Sequence, residues 1–497
     1  MFSKFQIQRI VFIGSLLVLF GGLTLIWKGF SISPVVASDL QTTYLPIVNT
    51  PAQKIIFGAE MNPITNDQGL HKMAEANISW VRRNGILWSK VEPVQGAGYD
   101  WSVLAEIEQD FLRARANNME VILVIRGVPE WARVPPYNYE CGPMDPNALS
   151  AFGDFMYAVV QRYSGYPYSI KYWEIWNEPD VYPGHVSSAT SPFGCLGDIT
   201  DTTYYGGAFY TALLQAVYPR VKQANPNAQV VLGGLLLDCN PLVDPNTCVS
   251  ARYLEGVLAT GGKNYFDGVS FHAYDYFTIG ETDYQTGIYG NPGWQSGGSN
   301  STLNGELKPV LVAKTAYLKH LFSLYNVEDK FLINTETALL CGALNALPGG
   351  PTCEATPDSY FEKLKAAYMP QTYASAIAEG LLANIWYTPM GWRNSGLFFE
   401  NFTPRPAYTA LMLAQETLQN ATFVRELSEL NEPVFGYEFL LENQPIWVLW
   451  TLDGKTHPLT FSQVPFSVFD ELGNPVTLNG STMTVAGLKT YYVDWTP

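Results

Sequence analysis

Two short apolar runs in this 497-residue chain each end in a carboxylic acid. The first, Lys171-Tyr-Trp-Glu-Ile-Trp-Asn-Glu-Pro-Asp180, carries Glu178 directly before a proline, which cannot continue a strand ladder. The second, Phe331-Leu-Ile-Asn-Thr-Glu-Thr337, carries Glu336. A lone acid ending a strand is most simply a solvated side chain. Two acids at one mouth allow more: one can donate a proton while the other attacks, the division of labour that breaks a glycosidic bond. Trp173, Ile175 and Trp176 would surround Glu178 with apolar surface and raise its pKa through desolvation. Carboxyls about 5–5.5 Å apart would retain configuration and a gap of roughly 6.5–9.5 Å would invert it. The sequence does not measure that gap.

Other strand ends supply supporting groups. Arg82 and Asn84 share one face by two-residue periodicity, and an inward Arg82 could hold a carboxylate ionised and oriented. Arg83 should face the helices in an ordinary ion pair. His272 and Tyr274 share a face in the same way. Trp386 closes a later strand, and Trp131 and Trp392 sit in adjoining loops. For each tryptophan, core packing is the simpler reading and a platform for a sugar face the sharper one.

Positioning these groups requires a repeating scaffold. Apolar runs at Lys54–Met61, Ile78–Asn84, Glu120–Gly127, Ile170–Asn177, Gln229–Leu237, Phe266–Tyr274, Lys330–Glu336 and Ala383–Tyr387 alternate with amphipathic stretches. Leu104, Ile107 and Phe111 mark one helical face, and Phe152, Phe155, Val159 and Tyr163 another. Eight such units predict an α/β fold, a closed (β/α)8 TIM barrel. The rival, an open doubly wound sheet, lacks a Gly-rich dinucleotide turn after an early strand. The excess over the roughly 250 residues typical of a barrel falls in Asp180–Asp201, Asp275–Leu307 and Ala338–Asp358, read as long loops that build a cleft. After about Asn420 the helical period gives way to short alternating runs at 434–440, 445–452, 458–461, 466–470, 482–485 and 490–494. These predict a small all-β, sandwich-like domain. The expected organisation is a signal peptide or signal-anchor helix over 1–30, a linker over 31–50, the barrel over 51–419 and the β-domain over 420–497.

The compartment follows from the N-terminus and the cysteines. Ile10 to Trp27 is an uncharged stretch preceded by Lys4 and Arg9, which reads as a membrane anchor or a long signal-peptide core. Val35-Val36-Ala37 could serve as a cleavage site; anchor and cleaved signal both stay open. The six cysteines all follow it, an even count that suggests disulfides in an exported chain. Sequence does not fix their connectivity. Short separations favour Cys239–Cys248 and Cys341–Cys353, leaving Cys141–Cys195. With no C-x-x-C and five histidines, a zinc site is not expected. A net charge of −16 disfavours binding to nucleic acid. Hydrophobic residues at 47% exclude intrinsic disorder.

Trp-Asn-Glu-Pro at strand four with a glutamate at strand seven resembles the clan-A retaining glycoside hydrolases, most closely families 39 and 5. Trp80-Val-Arg-Arg-Asn-Gly-Ile-Leu-Trp-Ser-Lys-Val-Glu-Pro93, Val128-Pro-Glu-Trp-Ala132 and Val269-Ser-Phe-His-Ala-Tyr274 resemble their second-strand, third-strand and sixth-strand segments. The likeness spans about residues 54 to 418. It implies Glu178 as acid/base and Glu336 as nucleophile. It also implies Asn177 on the hydroxyl next to the reacting carbon, Tyr274 hydrogen-bonded to the nucleophile, Arg82 and His272 as supporting polar groups and Trp386 beneath the sugar. Thr335-Glu336-Thr337 departs from the family in lacking the Gly or Trp often found after that glutamate. The expectation is an exported glycosidase acting on oligo- or polysaccharides as a monomer without cofactor or metal, touching membrane only through its N-terminal segment. The alternative is an envelope protein that binds carbohydrate on the same barrel without cleaving it.

Overall fold

A run such as Val121 to Ile125 is buried on both faces, as a strand between a filled barrel interior and a helical jacket must be. The computed structural model describes residues 56–280, 283–294, 306–341, 353, 356–431 and 433–496. The N-terminal apolar run, the linker and most of Ala338–Asp358 lie outside these. Among the described residues no helix is long and apolar enough to cross a membrane.

The first nine strands are Phe57–Glu60 (β1), Trp80–Leu87 (β2), Glu120–Arg126 (β3), Tyr172–Ile175 (β4), Gln229–Leu235 (β5), Gly268–Gly280 (β6), Asp283–Gly290 (β7), Phe331–Cys341 (β8) and Asn384–Trp386 (β9). All but β7 pair in parallel, and contacts of β5 with β6 and of β9 with β1 close the sheet into an eight-stranded barrel. Trp80, Ile122, Tyr172, Val231, Ile333 and Ile385 fill its lower interior. Outside, the jacket includes Phe152, Phe155, Val159 and Tyr163, the helical face expected over Leu149–Tyr163.

One expectation needs correction. Asp275–Leu307 is not all loop: β6 runs on to Gly280, and β7 folds back antiparallel onto it. Tyr276-Phe277-Thr278-Ile279 is aromatic and β-branched, and this strand-forming run outweighs the Gly and Pro content around it. β8 likewise continues through Ala338 to Cys341, beside the extended β6.

Downstream, Thr422–Glu426 (β10), Val434–Leu441 (β11), Gln444–Thr451 (β12), His457–Thr460 (β13), Ser467–Asp470 (β14), Thr482–Val485 (β15) and Tyr491–Asp494 (β16) form a five-stranded antiparallel sheet, ordered β10–β11–β12–β16–β14, and a β13–β15 pair. The sheet is two-faced. Phe435, Tyr437, Phe439, Val448, Trp450 and Tyr492 join the core of the barrel's helical jacket, whereas Leu449, Val468, Tyr491 and Val493 make a second core with Leu459, Met483 and Val485. The join is also polar: Trp450 Nε1 donates to the Leu307 carbonyl at 2.7 Å, and Gln371 Nε2 to Thr490 Oγ1 at 2.8 Å.

The three disulfides are Cys141–Cys195, Cys239–Cys248 and Cys341–Cys353, the pairing that the short separations favour. Each ties a segment that follows a barrel strand, on the side where the carboxylates end.

Candidate active site

Arg82 organises the mouth of the barrel. Two residues beyond Trp80 on β2, it is fully buried, and its guanidinium is spent on four acceptors. Nε donates to Glu174 Oε2 at 2.7 Å and Nη2 to Asn177 Oδ1 at 2.7 Å. Nη1 donates to Glu60 Oε2 at 2.6 Å and to Glu336 Oε1 at 2.5 Å. Charge-assisted bonds of this kind fix orientation as well as charge. Glu336 receives a second donor, the Tyr274 hydroxyl, on Oε2.

Glu178 reaches the same space from β4 by a backbone device. Trp176 and Glu178 have φ of 80° and 49°, left-handed conformations costing on the order of 1–3 kcal/mol each in non-glycine residues. The kinked segment is pinned by Trp176 Nε1 donating to the Gly194 carbonyl at 2.9 Å and by the Glu178 amide donating to the Gly234 carbonyl at 3.0 Å. Asp180, just beyond, accepts the Leu236 and Leu237 amides, each at 2.9 Å. Gly234 has no room for a side chain, since a Cβ there would lie 2.5 Å from His272 Nε2.

His272 stands between the two acids. Its Nδ1 is 2.9 Å from Glu178 Oε1 and its Nε2 is 3.4 Å from Glu336 Oε1. One ligand-type atom from each of Glu178, His272 and Glu336 falls within 4.8 Å of the others. Such a trio could touch a cation, but Arg82 already supplies the positive charge, and the arrangement suits a carboxyl pair better than a metal centre. Burial pushes both Glu178 and Glu336 up to about 7. Arg82 and Tyr274 are bonded to Glu336 and neither to Glu178. One shared proton therefore rests on Glu178, and the negative charge on Glu336. Burial also depresses His272 to about 4, so its ring is neutral at neutral pH. Lys314, buried behind it, donates to the His272 carbonyl at 2.7 Å and holds the end of β6.

The structure thus brings together Arg82, Asn177, Glu178, His272, Tyr274 and Glu336. Arg82 and His272 are completely buried, which makes them supports of the carboxyls rather than surfaces for a sugar. The tryptophans separate. Trp386, expected beneath the sugar, has no exposed surface; its ring packs near Tyr368, and its Nε1 donates to the Ser395 carbonyl at 3.0 Å. Ile385 belongs to the barrel's inner cluster, so strand alternation turns Trp386 outward and brings Tyr387 into the mouth. Tyr387 is half-buried, edge-on to Tyr274 at 5.9 Å and to Trp392 at 6.0 Å. Trp392 is 49% exposed and 6.3 Å from the Tyr274 ring, which leaves it a face to offer. Trp131 is half-buried, packs against Trp88 and donates to the Glu92 carbonyl at 3.1 Å.

Sequence reasoning missed Glu60, Glu174 and Tyr387. Glu174 had a signal: it is an acid inside an apolar strand, two residues beyond Tyr172 and on the same face. Tyr387 lies one position beyond Trp386. Glu60 ends a four-residue strand, and nothing near it in sequence marks it.

No protein-family model matches the chain, and no curated protein matches it in sequence. Solved structures do match its fold. A family 39 glycoside hydrolase from Bacteroides cellulosilyticus WH2 is 18% identical, with 90% of this chain and 81% of that one covered and a TM-score of 0.62. A family 30 endoxylanase from Clostridium papyrosolvens C71 is 11% identical, with 90% and 97% covered and a TM-score of 0.54. BuGH86 in complex with neoagarooctaose is 12% identical, with 90% and 75% covered and a TM-score of 0.56. The barrel that carries Glu178 and Glu336 has the fold of the clan-A glycoside hydrolases.

Proposed function

We propose that this protein is an exported glycoside hydrolase that cleaves O-glycosidic bonds of oligo- or polysaccharides with retention of configuration. The observation that carries the reading is the Glu178–His272–Glu336 cluster, whose ligand-type atoms fall within 4.8 Å of one another while Arg82 and Tyr274 bond to Glu336 and not to Glu178. Atoms that close agree better with the roughly 5–5.5 Å separation of retaining pairs than with the roughly 6.5–9.5 Å of inverting ones. In the first step a Glu336 oxygen bonds to the anomeric carbon as its bond to the glycosidic oxygen breaks, and the Glu178 proton passes to that oxygen. In the second, Glu178 takes a proton from water, whose oxygen displaces Glu336 and regenerates both groups. Asn177, whose Oδ1 is held by Arg82 and whose Nδ2 donates one hydrogen to the Pro192 carbonyl at 3.2 Å, keeps a second Nδ2 hydrogen for the neighbouring sugar hydroxyl. Trp392 and Tyr387 offer the aromatic surface. The three disulfides and the N-terminal apolar run support export. Solved neighbours that include an endoxylanase and an oligosaccharide complex support a carbohydrate substrate.

The test is a screen of aryl glycosides and of plant and microbial polysaccharides, comparing wild type with Glu336→Gln. Turnover abolished in the variant, with a mechanism-based fluoro-sugar attached at Glu336 of the wild type, is expected. Labelling of another carboxylate would reassign the nucleophile. Carbohydrate binding without turnover in the wild type would favour the non-catalytic alternative.

A further inference from the structure

The mouth of the barrel holds a second buried guanidinium that the carboxyl pair does not use. Arg126 closes β3, on the inward face that Ile122 shares four residues earlier, and is 8% exposed. Its Nε donates to Asn84 Oδ1 at 2.8 Å, and Asn84 lies two residues beyond Arg82 on β2. Its Nη1 is buried with no hydrogen-bond partner among the described residues. The acids whose field reaches it are engaged elsewhere. Glu60 accepts from Arg82 at 2.6 Å and from Asn62 at 2.5 Å, and Glu140 accepts from Ser89 at 2.8 Å. Burial and the Arg82 charge pull Arg126 down to about 10, as expected of a cation without a bonded counterion. Arg82, with three carboxylates, is its opposite.

A buried cation with an unused donor is costly unless a ligand brings the missing anion. The acids around the barrel axis outnumber the one guanidinium they share, with Glu60, Glu174 and Glu336 all on Arg82, so an anionic group is disfavoured beside them and favoured at Arg126. We propose that Arg126, braced by Asn84, binds an acidic substituent of the sugar chain, a uronate carboxylate or a sulfate ester, and that the protein selects acidic over neutral polysaccharides. This rests on the glycosidase reading above and names the class of substrate for that same cleft.

Uronate-containing polysaccharides would be assayed beside their own carboxyl-reduced products, and sulfated galactans beside their desulfated forms. Each pair keeps its linkages and loses only the charge. Wild type, Arg126→Gln and Arg126→Lys would be compared for kcat/KM, with folding checked by thermal melting. The wild type should prefer the acidic member of one pair by roughly ten- to a hundred-fold, the range for hydrogen bonds to charged groups. Which pair shows the preference identifies the substituent. It should collapse in Arg126→Gln and survive in part in Arg126→Lys. Equal rates on both members of every pair, or an undiminished preference in a folded Arg126→Gln protein, would overturn the proposal. If the wild type cleaves no member of any pair, the glycosidase reading fails instead. Calorimetry with charged and charge-removed oligosaccharides then decides the Arg126 question alone: charge-dependent binding lost in Arg126→Gln supports it, and its absence overturns it.

Discussion

Tyr274→Phe removes a single oxygen from the candidate site and keeps the ring that packs edge-on to Tyr387 and Trp392. That oxygen donates to Glu336 Oε2, while Arg82 holds Oε1 at 2.5 Å. A hydrogen bond to a charged group contributes about 1.5–3 kcal/mol, and about 1.4 kcal/mol corresponds to one pKa unit. The donor favours the ionised carboxyl, so its loss should raise the pKa of Glu336 by roughly one to two units. The acid limb of the kcat/KM profile should therefore move to higher pH by that amount. Activity at a fixed pH below the limb should fall roughly ten- to a hundred-fold. The deficit should shrink on the alkaline side, where Glu336 is ionised in both proteins. The assay is a pH series on an aryl glycoside with a good leaving group, with circular dichroism to check folding. A folded variant whose acid limb stays in place would refute the account of how Glu336 is kept charged.

Three further outcomes follow from the same geometry. Glu178→Ala should abolish the alkaline limb and be partly rescued by azide with activated aryl glycosides; an unchanged alkaline limb in an active variant would move the acid elsewhere. Trp386→Ala should cost about 3–5 kcal/mol of stability with kcat/KM per folded molecule largely kept, whereas Trp392→Ala should raise KM and spare the melting temperature. The reverse pattern would restore the buried ring as the platform. Stability should also depend on pH. Burial lifts Glu178, Asp180 and Asp275 to about 7, so the folded chain holds protons that the unfolded chain releases near pH 4. Their contribution is complete below that point and is lost as pH rises through 7. His272, depressed to about 4 from 6.5, opposes this only up to pH 6.5. Lys314 and Lys365, depressed to about 8, act only above that value. The acids outnumber the one opposing histidine, so the melting temperature should fall between about pH 5 and 7 and level off above that; a rise across that window, followed by calorimetry, would contradict the burial of these acids.

What could be read in the sequence was what strand alternation and turn chemistry record locally. Val121–Ile125 can be little other than a strand buried on both faces, and Asn177-Glu178-Pro179 can only end one. The Arg82/Asn84 and His272/Tyr274 pairs followed from the same two-residue rule. The rule failed where a strand is too short to set its own phase. β9 has three residues, and its pairing with β1 and β8, Ala59 and Thr337 beside Trp386, turns Trp386 outward and leaves Tyr387 in the mouth. Glu60 was illegible for another reason. Its partner Arg82 lies 22 residues away, and the contact exists only because β1 and β2 are neighbours in a closed barrel. β10 was missed because four of its five residues are exposed, so it has no apolar period to show. The β6–β7 hairpin hid among Gly, Pro and Asn. The gap between the two acids is a property of the closed sheet and could not be read from spacing.

The most direct test of the central claim is the anomeric configuration of the first product, followed by proton NMR during cleavage of a substrate found in the screen. Glu178 and Glu336 atoms within 4.8 Å of each other fit the short carboxyl separation at which the second acid itself attacks. The first sugar released should therefore have the configuration of the substrate and only later mutarotate. Initial release of the opposite anomer would contradict the account, because it would require direct displacement by water rather than attack by Glu336.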